Sequence, residues 1–317
     1  MYTNTIDETT YIELMNNLKE LNIEYKRLQK SNSYKYGLLI NEIKVGLKSP
    51  KNICSLFKKI KDIYFWRRLC KKYPIASGVS KTYASKSNYF INDKIVIYTS
   101  VFGKYDFINE PIVKPNNCDY IVITDQIVSD TSVWKKRNFD DLIPNFNKLT
   151  NVEKNRYCKM FPHVLFSEYK YSIYIDGNIK VITDLTEFVN VSMENGIQFH
   201  KHKARDCVYQ ELVACKVLKK AKKEELKRFE VWLNKEEFPR NYGMAECNVI
   251  VRDHSNKVMQ KIMTEWWCLF KNGNVKRDQL VLPYVLWKNG IDVCSVTQLG
   301  ENVENNPAIR VVSHNQR

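Results

Sequence analysis

Three residues near the middle of the chain, Asp176, Gly177 and Asn178, have the types and the spacing to hold a cation. They follow Tyr171-Ser172-Ile173-Tyr174-Ile175, where Tyr171, Ile173 and Ile175 alternate with Ser172 and Tyr174 as a buried, pleated strand requires. Gly177 lets the backbone turn tightly at the strand end. Asp176 and Asn178, two apart, can aim oxygen atoms at one point beyond it. Hard divalent cations take oxygen ligands, and Mg²⁺ or Mn²⁺ bridges a carboxylate to a diphosphate. The competing reading is a plain turn, where Asp, Gly and Asn are the common residues.

The elements around this corner favour the chemical reading. Residues 94–100 and 119–125 are β-branched, apolar runs, the second ending in Asp125. Residues 151–169 read as a helix with a bend near Pro162, residues 208–233 as a second, and residues 255–270 and 277–288 as two more. Residues 247–251 and 291–296 read as further strands. Strands alternating with helices predict an α/β fold with a mainly parallel sheet. Open α/β sheets bind ligands at the carboxyl ends of their strands. Thr99, Ser100, Gly103, Asp125, Asp176 and Asn178 all cluster there. The chain has neither Gly-x-Gly-x-x-Gly nor Gly-x-x-x-x-Gly-Lys-[Ser/Thr], so a bound nucleotide needs another source of positive charge, which a metal would supply.

At 317 residues, with 44% hydrophobic and 12% aromatic residues, the chain can bury a large core and is not of disordered composition. No apolar run reaches the roughly 20 residues of a membrane span, and the first residues carry no secretory pattern. Nine scattered cysteines, an odd number with no Cys-x-x-Cys pair, suggest reduced thiols and a cytoplasmic protein, and argue against zinc.

The net charge of +15 is uneven: residues 35–72 hold eleven Lys and Arg against Glu42 and Asp62. Residues 1–90 therefore read as a helical N-terminal region, and residues 91–317 as the α/β domain, with a linker over residues 74–92. Residues 7–30 space Ile12, Met15, Leu18, Leu21, Tyr25 and Leu28 by threes and fours. That is an amphipathic helix, either packed on its own domain or paired in a homodimer. Residues 53–73 set Leu56, Phe57, Ile60, Ile63, Tyr64 and Trp66 among lysines and arginines. Such a helix suits an anionic membrane surface, and equally a protein core. No nucleic-acid-binding motif accompanies the charge.

Several ordered blocks carry a family resemblance. They are Tyr98-Thr99-Ser100-Val101-Phe102-Gly103-Lys104-Tyr105-Asp106, Cys118-Asp119-Tyr120, Arg156-Tyr157-Cys158-Lys159-Met160-Phe161-Pro162-His163 and Tyr174-Ile175-Asp176-Gly177-Asn178. Further on come residues 200–211, residues 243–248, Trp266-Trp267 and Arg277-Asp278-Gln279. Over roughly residues 93–297 the chain resembles a glycosyltransferase-like family formerly catalogued as a domain of unknown function, which includes plant mucilage-related proteins. The resemblance implies a GT-A-like fold, a nucleotide-sugar donor and a glycan or glycolipid acceptor. Asp176-Gly177-Asn178 would stand where other GT-A enzymes carry Asp-x-Asp, with an amide in place of the second acid. Asp176, assisted by Asn178, would hold Mn²⁺ or Mg²⁺, and His314 would complete the metal shell.

Roles for the other residues follow from their chemistry. Thr99 and Asp125, beside Ser100 and Gly103, would read base and ribose. Arg156 and Lys159, three apart on a helix, would touch phosphate or donor sugar, unless they form a solvated face. His202, Arg205 and Asp206 make a polar knot supported by Glu211, in which Arg205 and Asp206 are alternatively a simple ion pair. Glu246 and Asp278 are the acids available to activate an acceptor hydroxyl or orient the donor, and Asp278 is alternatively a helix cap. Trp266 and Trp267 fit core packing better than sugar stacking. The leading reading is a glycosyltransferase, peripheral at the inner face of a membrane if the basic segment docks there. Its rival is a non-catalytic glycan- or nucleotide-binding protein, favoured by the amide at position 178.

Overall fold

The seven residues of β1, Ile95–Val101, are all buried, as a strand covered on both faces requires. In the computed structural model, which describes residues 7–46, 91–103, 106–140, 142–191, 193–300 and 302–313, β1 lies within a six-stranded sheet. It pairs in parallel with β2 (Cys118–Thr124) and β4 (Tyr171–Ile175), and β2 pairs in parallel with the short β3 (Lys135–Lys136). Beyond β4 the sheet turns antiparallel, through β7 (Ala245–Asp253) to β6 (Ile197–Lys201). The order β3-β2-β1-β4-β7-β6 makes this a mixed α/β sheet whose parallel part holds the central strands. The carboxyl ends of β1, β2, β4 and β6 and the start of β7 therefore share one edge.

The two faces are covered differently. Val96, Tyr98, Ile121, Ile123, Tyr174, Phe199 and Ile250 pack under α3 (Asn151–Met160), α4 (Pro162–Leu165), α5 (Val208–Val217), α6 (Lys223–Lys235), α7 (Lys257–Asn272) and α8 (Asp278–Lys288). On the other face Ile95, Ile97, Val122, Ile173, Ile175, Val249 and Val251 meet a ribbon of β5 (Ile179–Val181) and β8 (Ile309–Val311), with the 3₁₀ turn Thr186–Asn190 beside it. Side chains two apart on a strand share a face. Tyr174 and Asp176 are therefore both directed toward the helical layer.

Residues 8–30 form α1 (Glu8–Lys30), followed by α2 (Asn32–Gly46). Asp7 caps α1 by accepting the Thr10 N–H at 3.0 Å. Its docking face is largely polar. Asn22 Nδ2 donates to the carbonyls of Pro307 (2.7 Å) and Ile309 (3.0 Å), and Arg310 Nε donates to Asn22 Oδ1 (2.9 Å). Lys26 Nζ reaches the Asn306 carbonyl, Lys19 pairs with Glu187 at 2.6 Å, and the Tyr11 hydroxyl donates to Asp184 at 2.8 Å. Of the apolar residues that define the amphipathic pattern, Met15 is fully buried while Leu21 and Leu28 stay exposed. So α1 clasps β8 and the β5–β8 connection of its own chain.

Two elements depart from the sequence reading, and a third breaks near Pro162 as that reading has it. Residues 291–296 form no strand: Asp292 accepts the Cys294 N–H and starts a 3₁₀ turn, Val293–Val296. The helix read over 208–233 is two, α5 and α6, broken where Lys219 adopts a left-handed φ of 53°. Residues 151–169 hold a ten-residue helix closed at Phe161 and then a single turn begun by Pro162, which cannot continue the hydrogen-bond ladder. Trp266 is fully buried in the core, and Trp267 packs on it partly buried. No helix among the described residues is long and apolar enough to cross a membrane. Residues 47–90, which include most of the basic stretch and the linker, and His314 lie outside the described residues.

Burial, with Lys30 and Arg310 nearby, pushes the Lys26 ammonium down from 10.5 to about 8. The unfolded chain then holds more protons than the folded one between those two values, so this lysine makes the fold firmer as pH rises from about 8 to 10.5. Urea melts of wild type and Lys26→Met should differ by an amount that changes across that window. A difference that does not vary with pH would refute the coupling.

Candidate active site

The site is assembled where β4 ends beneath α3 and α8. Helix α3 is started by a capping box, in which Thr150 accepts the Glu153 N–H and Glu153 accepts the Thr150 N–H. Glu153 is fixed again by Lys271 Nζ at 2.8 Å. From that start, Asn155, Arg156 and Lys159 fall on one face of the helix. Asn155 Nδ2 donates to the Ser100 carbonyl (2.6 Å) and hydroxyl (2.9 Å), tying the helix to the end of β1.

These side chains close into a ring with β4 and α8. The Tyr174 hydroxyl donates to Asp176 Oδ1 at 2.8 Å, and Lys159 Nζ lies 3.5 Å from the same oxygen. Lys159 Nζ also donates to Asp278 Oδ2 at 2.9 Å, and Arg156 Nε pairs with that oxygen at 3.0 Å. Arg156 donates to Asn155 Oδ1, and Asn155 Nδ2 returns to the Tyr174 hydroxyl at 3.4 Å. The ring thus holds two carboxylates, two cations, an amide and a phenol. The Lys159 and Asp278 side chains are 2% and 6% exposed, while Arg156 and Asp176 reach solvent at 25% and 32%. Trp266 Nε1 donates to the Asp278 carbonyl at 2.9 Å and so fixes the start of α8.

Electrostatics follow from this wiring. Burial by itself raises the Asp278 carboxyl, but Arg156 and Lys159 outweigh it and hold the group well below the usual carboxylate range. Burial and the charge of Asp176 push the Tyr174 hydroxyl well above its ordinary value, so it remains a donor. Asp176 is therefore held from beneath through Oδ1 alone.

The corner itself is pinned by backbone contacts. The Asp176 N–H donates to the Asn248 carbonyl (2.8 Å), and the Val312 N–H to the Asn178 carbonyl (2.9 Å). Asn109 Nδ2 holds the Gly177 carbonyl at 2.8 Å. A Cβ on Gly177 would lie 2.8 Å from Val101 Cγ2 and 3.0 Å from Asp106 Cβ, so only glycine fits. Asp176 Oδ2 and the Asn178 side chain make no hydrogen bond or ion pair among the described residues. Those two side chains on one turn are oxygen donors of the kind that a hard divalent cation such as Mn²⁺ or Mg²⁺ takes. No three His, Cys, Asp or Glu side chains among the described residues gather into a group that would hold a metal unaided.

Other predicted residues lie along the same edge in different roles. Gly103 N–H donates to both Asp125 oxygens (3.1 and 2.9 Å), so these two lock the β1 and β2 loops together. Thr99 is buried, with a hydroxyl that has no partner among the described residues. Glu246 uses both oxygens on backbone, accepting the N–H of Lys203 (3.2 Å) and Val303 (2.9 Å). His202 Nδ1 accepts the N–H of Ala204 and Arg205, and burial lowers its pKa to about 4, leaving it neutral. Arg205 pairs with Glu211, not with Asp206, whose carbonyl receives the Gly243 N–H at 2.8 Å. Two ring members, Asn155 and Tyr174, escaped the sequence reading. Their signals were the i, i+1, i+4 spacing of Asn155, Arg156 and Lys159 on α3, and the two-residue step from Tyr174 to Asp176 on β4.

A family model described as TOD1/MUCI70, glycosyltransferase-like domain, matches residues 69–314. Among curated proteins none matches the chain. Among solved structures, the apo form of the bifunctional glycosyltransferase WbbM is similar at a TM-score of 0.38 and 14% identity, over 62% of this chain and 38% of that one. The mannosyltransferase Ktr4p of S. cerevisiae is similar at a TM-score of 0.33 and 13% identity, over 69% and 73%. The chain thus spans well under half the length of the WbbM chain.

Removing one partner from a buried ion pair strands the other charge, at a cost of about 3–5 kcal/mol. Lys159→Met should lower unfolding free energy in urea by about that amount, and adding Asp278→Asn should recover part of it. Strictly additive losses would show that the two side chains are not coupled. Gly177→Ala should destabilise the fold by about 1–3 kcal/mol in the same assay. A loss below about 0.5 kcal/mol would mean the corner has room for a methyl group.

Proposed function

The chain belongs to the TOD1/MUCI70 glycosyltransferase-like family, and from that premise we propose that its ring site transfers a sugar from a nucleotide-sugar donor to an acceptor hydroxyl, on a GT-A-like domain. The observation that carries this reading is the presentation of Asp176 Oδ2: its sister oxygen is braced by Tyr174 and Lys159, and Asn178 stands on the same turn. In the proposed reaction the bond between the anomeric carbon and the diphosphate breaks, and its electron pair stays on the departing oxygen. The acceptor oxygen bonds to the anomeric carbon, and its proton passes to the departing diphosphate, which leaves with it.

Asp176 and Asn178 are the residues that would hold Mn²⁺ or Mg²⁺, which when bound neutralises charge on the leaving nucleoside diphosphate. Arg156, a quarter exposed, faces the same space and supplies a fixed guanidinium toward the donor. Asp278, held ionised between Arg156 and Lys159, orients both cations. Thr99, Ser100 and the Gly103–Asp125 pair lie at the ends of β1 and β2, where a base and ribose would rest. A glycan or glycolipid acceptor is consistent with the family description.

A non-catalytic glycan- or nucleotide-binding protein is the second reading, favoured by the amide at position 178, a weaker metal ligand than a carboxylate. Purified protein should be screened against a panel of nucleotide-sugars for donor hydrolysis and transfer, with and without Mn²⁺. Asp176→Ala should lower turnover by roughly 10²–10³-fold, the loss expected for a group acting on transition-state charge, and the variant should stay folded, with a urea midpoint somewhat below wild type because Lys159 loses one of its two acids. Full turnover in Asp176→Ala rejects the assignment. Donor binding without any turnover selects the second reading.

A further inference from the structure

Core packing does not account for the whole of Trp267. Its neighbour Trp266 is fully buried, but Trp267 is only partly buried and lines a cavity of about 410 Å³ between α3, α7 and the loop before α3. The other walls include Tyr157, Leu149, Pro144, Asn145 and Lys271. A volume of this size falls in the range of small-molecule sites, roughly 300–1,000 Å³.

These walls are fixed by contacts of their own. Tyr157 stacks on Phe161 with ring centroids 4.5 Å apart and meets Trp267 edge-on at 5.2 Å, and Phe270 backs the same indole at 6.0 Å. Lys271 Nζ is tied to Glu153 at 2.8 Å, and Glu153 belongs to the capping box that starts α3. The loop wall is anchored by Phe146, whose ring meets Phe102 at 6.2 Å and carries Lys154 Nζ over it at 3.9 Å. Asn145 takes a left-handed φ of 55°, and its side chain makes no hydrogen bond among the described residues.

Aromatic rings beside an amide and an ammonium match the two characters of a pyranose, an apolar C–H face and a rim of hydroxyls. A wholly apolar ligand would strip water from Asn145 and from the remaining donors of Lys271 without replacing it. A phosphate would meet the Glu153 carboxylate beside Lys271. The cavity is separate from the ring: at 3.6 residues per turn, Tyr157 lies about 160° around α3 from both Asn155 and Lys159. Both nevertheless stand at the carboxyl end of β1, where Phe102 meets the loop and Ser100 meets α3.

We infer that this cavity is a glycan-binding subsite, which holds one pyranose ring against Trp267 and Tyr157. The site stands on its own walls; only the assignment of that glycan as the acceptor rests on the glycosyltransferase reading.

Titration of the full chain with cellohexaose, xylohexaose and trigalacturonic acid, followed by calorimetry and tryptophan fluorescence, tests this. Wild type should bind at least one of the three with a change in emission. Trp267→Leu should weaken binding about tenfold, the factor that about 1.4 kcal/mol of aromatic contact represents, and Trp267→Phe, which keeps a ring, should lose less. The bound sugar should also shield Trp267 of wild type from oxidation by N-bromosuccinimide, read by peptide mass spectrometry, a measurement that does not depend on how a variant folds. Binding of none of the three to wild type, binding unmoved in Trp267→Leu, or oxidation of Trp267 unaffected by bound sugar overturns the proposal. A chain that binds a glycan through Trp267 but turns over no nucleotide-sugar keeps this site and loses the transferase reading. One that transfers sugar yet binds none of the three glycans does the reverse.

Discussion

A buried lysine shared by two carboxylates organises this molecule. Lys159 Nζ sits between Asp176 and Asp278 with almost no access to water. An ammonium there is tolerable because two carboxylates face it and Arg156 balances the second. Removing Lys159 or Asp278 leaves a charge less compensated in a medium that solvates it poorly. The three elements that supply the members, β4, α3 and α8, are therefore held in register by more than apolar packing. Lys159 and Asp278 are 119 residues apart, so the ring also ties distant parts of the chain together.

The opposite face of the sheet supports the same corner by other means. Asn178 is fixed by Val312, just past β8, and β8 is in turn held by Asn22 and Arg310 across the α1 interface. The exposed part of the 176–178 turn thus rests on a ribbon from the far end of the sequence, and that ribbon on a helix from the near end. Ring and ribbon constrain different atoms: the first holds Asp176 Oδ1, the second the backbone of Asn178.

Much of the sheet was legible in the sequence, since strands covered on both faces read as unbroken β-branched and aromatic runs. The acid-glycine-amide corner was legible for a related reason: a strand end demands a turn, and that turn is polar. The ring was not. Its members come from three elements, and nothing local in Asn155 or Tyr174 announces a partner across the fold. Residues 291–296 were misread because Ile291, Val293 and Val296 carry strand propensity, while the turn is decided by one side chain, Asp292, bonding to the backbone two residues on. The break between α5 and α6 lacked a Gly or Pro marker because Lys219 itself takes the left-handed conformation. The α1 interface was hidden by its polarity: amphipathic spacing pointed to leucines, whereas docking uses an asparagine and a lysine on backbone carbonyls.

The order of synthesis gives the clasp between α1 and β8 a biological edge. A ribosome delivers α1 first and β8 long after β5, with Asn22 and Ile309 separated by 287 positions. Contacts of such span form late. Until β8 arrives, Asn178 lacks the brace supplied by Val312, so a nascent or prematurely terminated chain would leave the turn at Asp176–Asn178 unfinished. In that sense the corner is completed only once translation has passed β8.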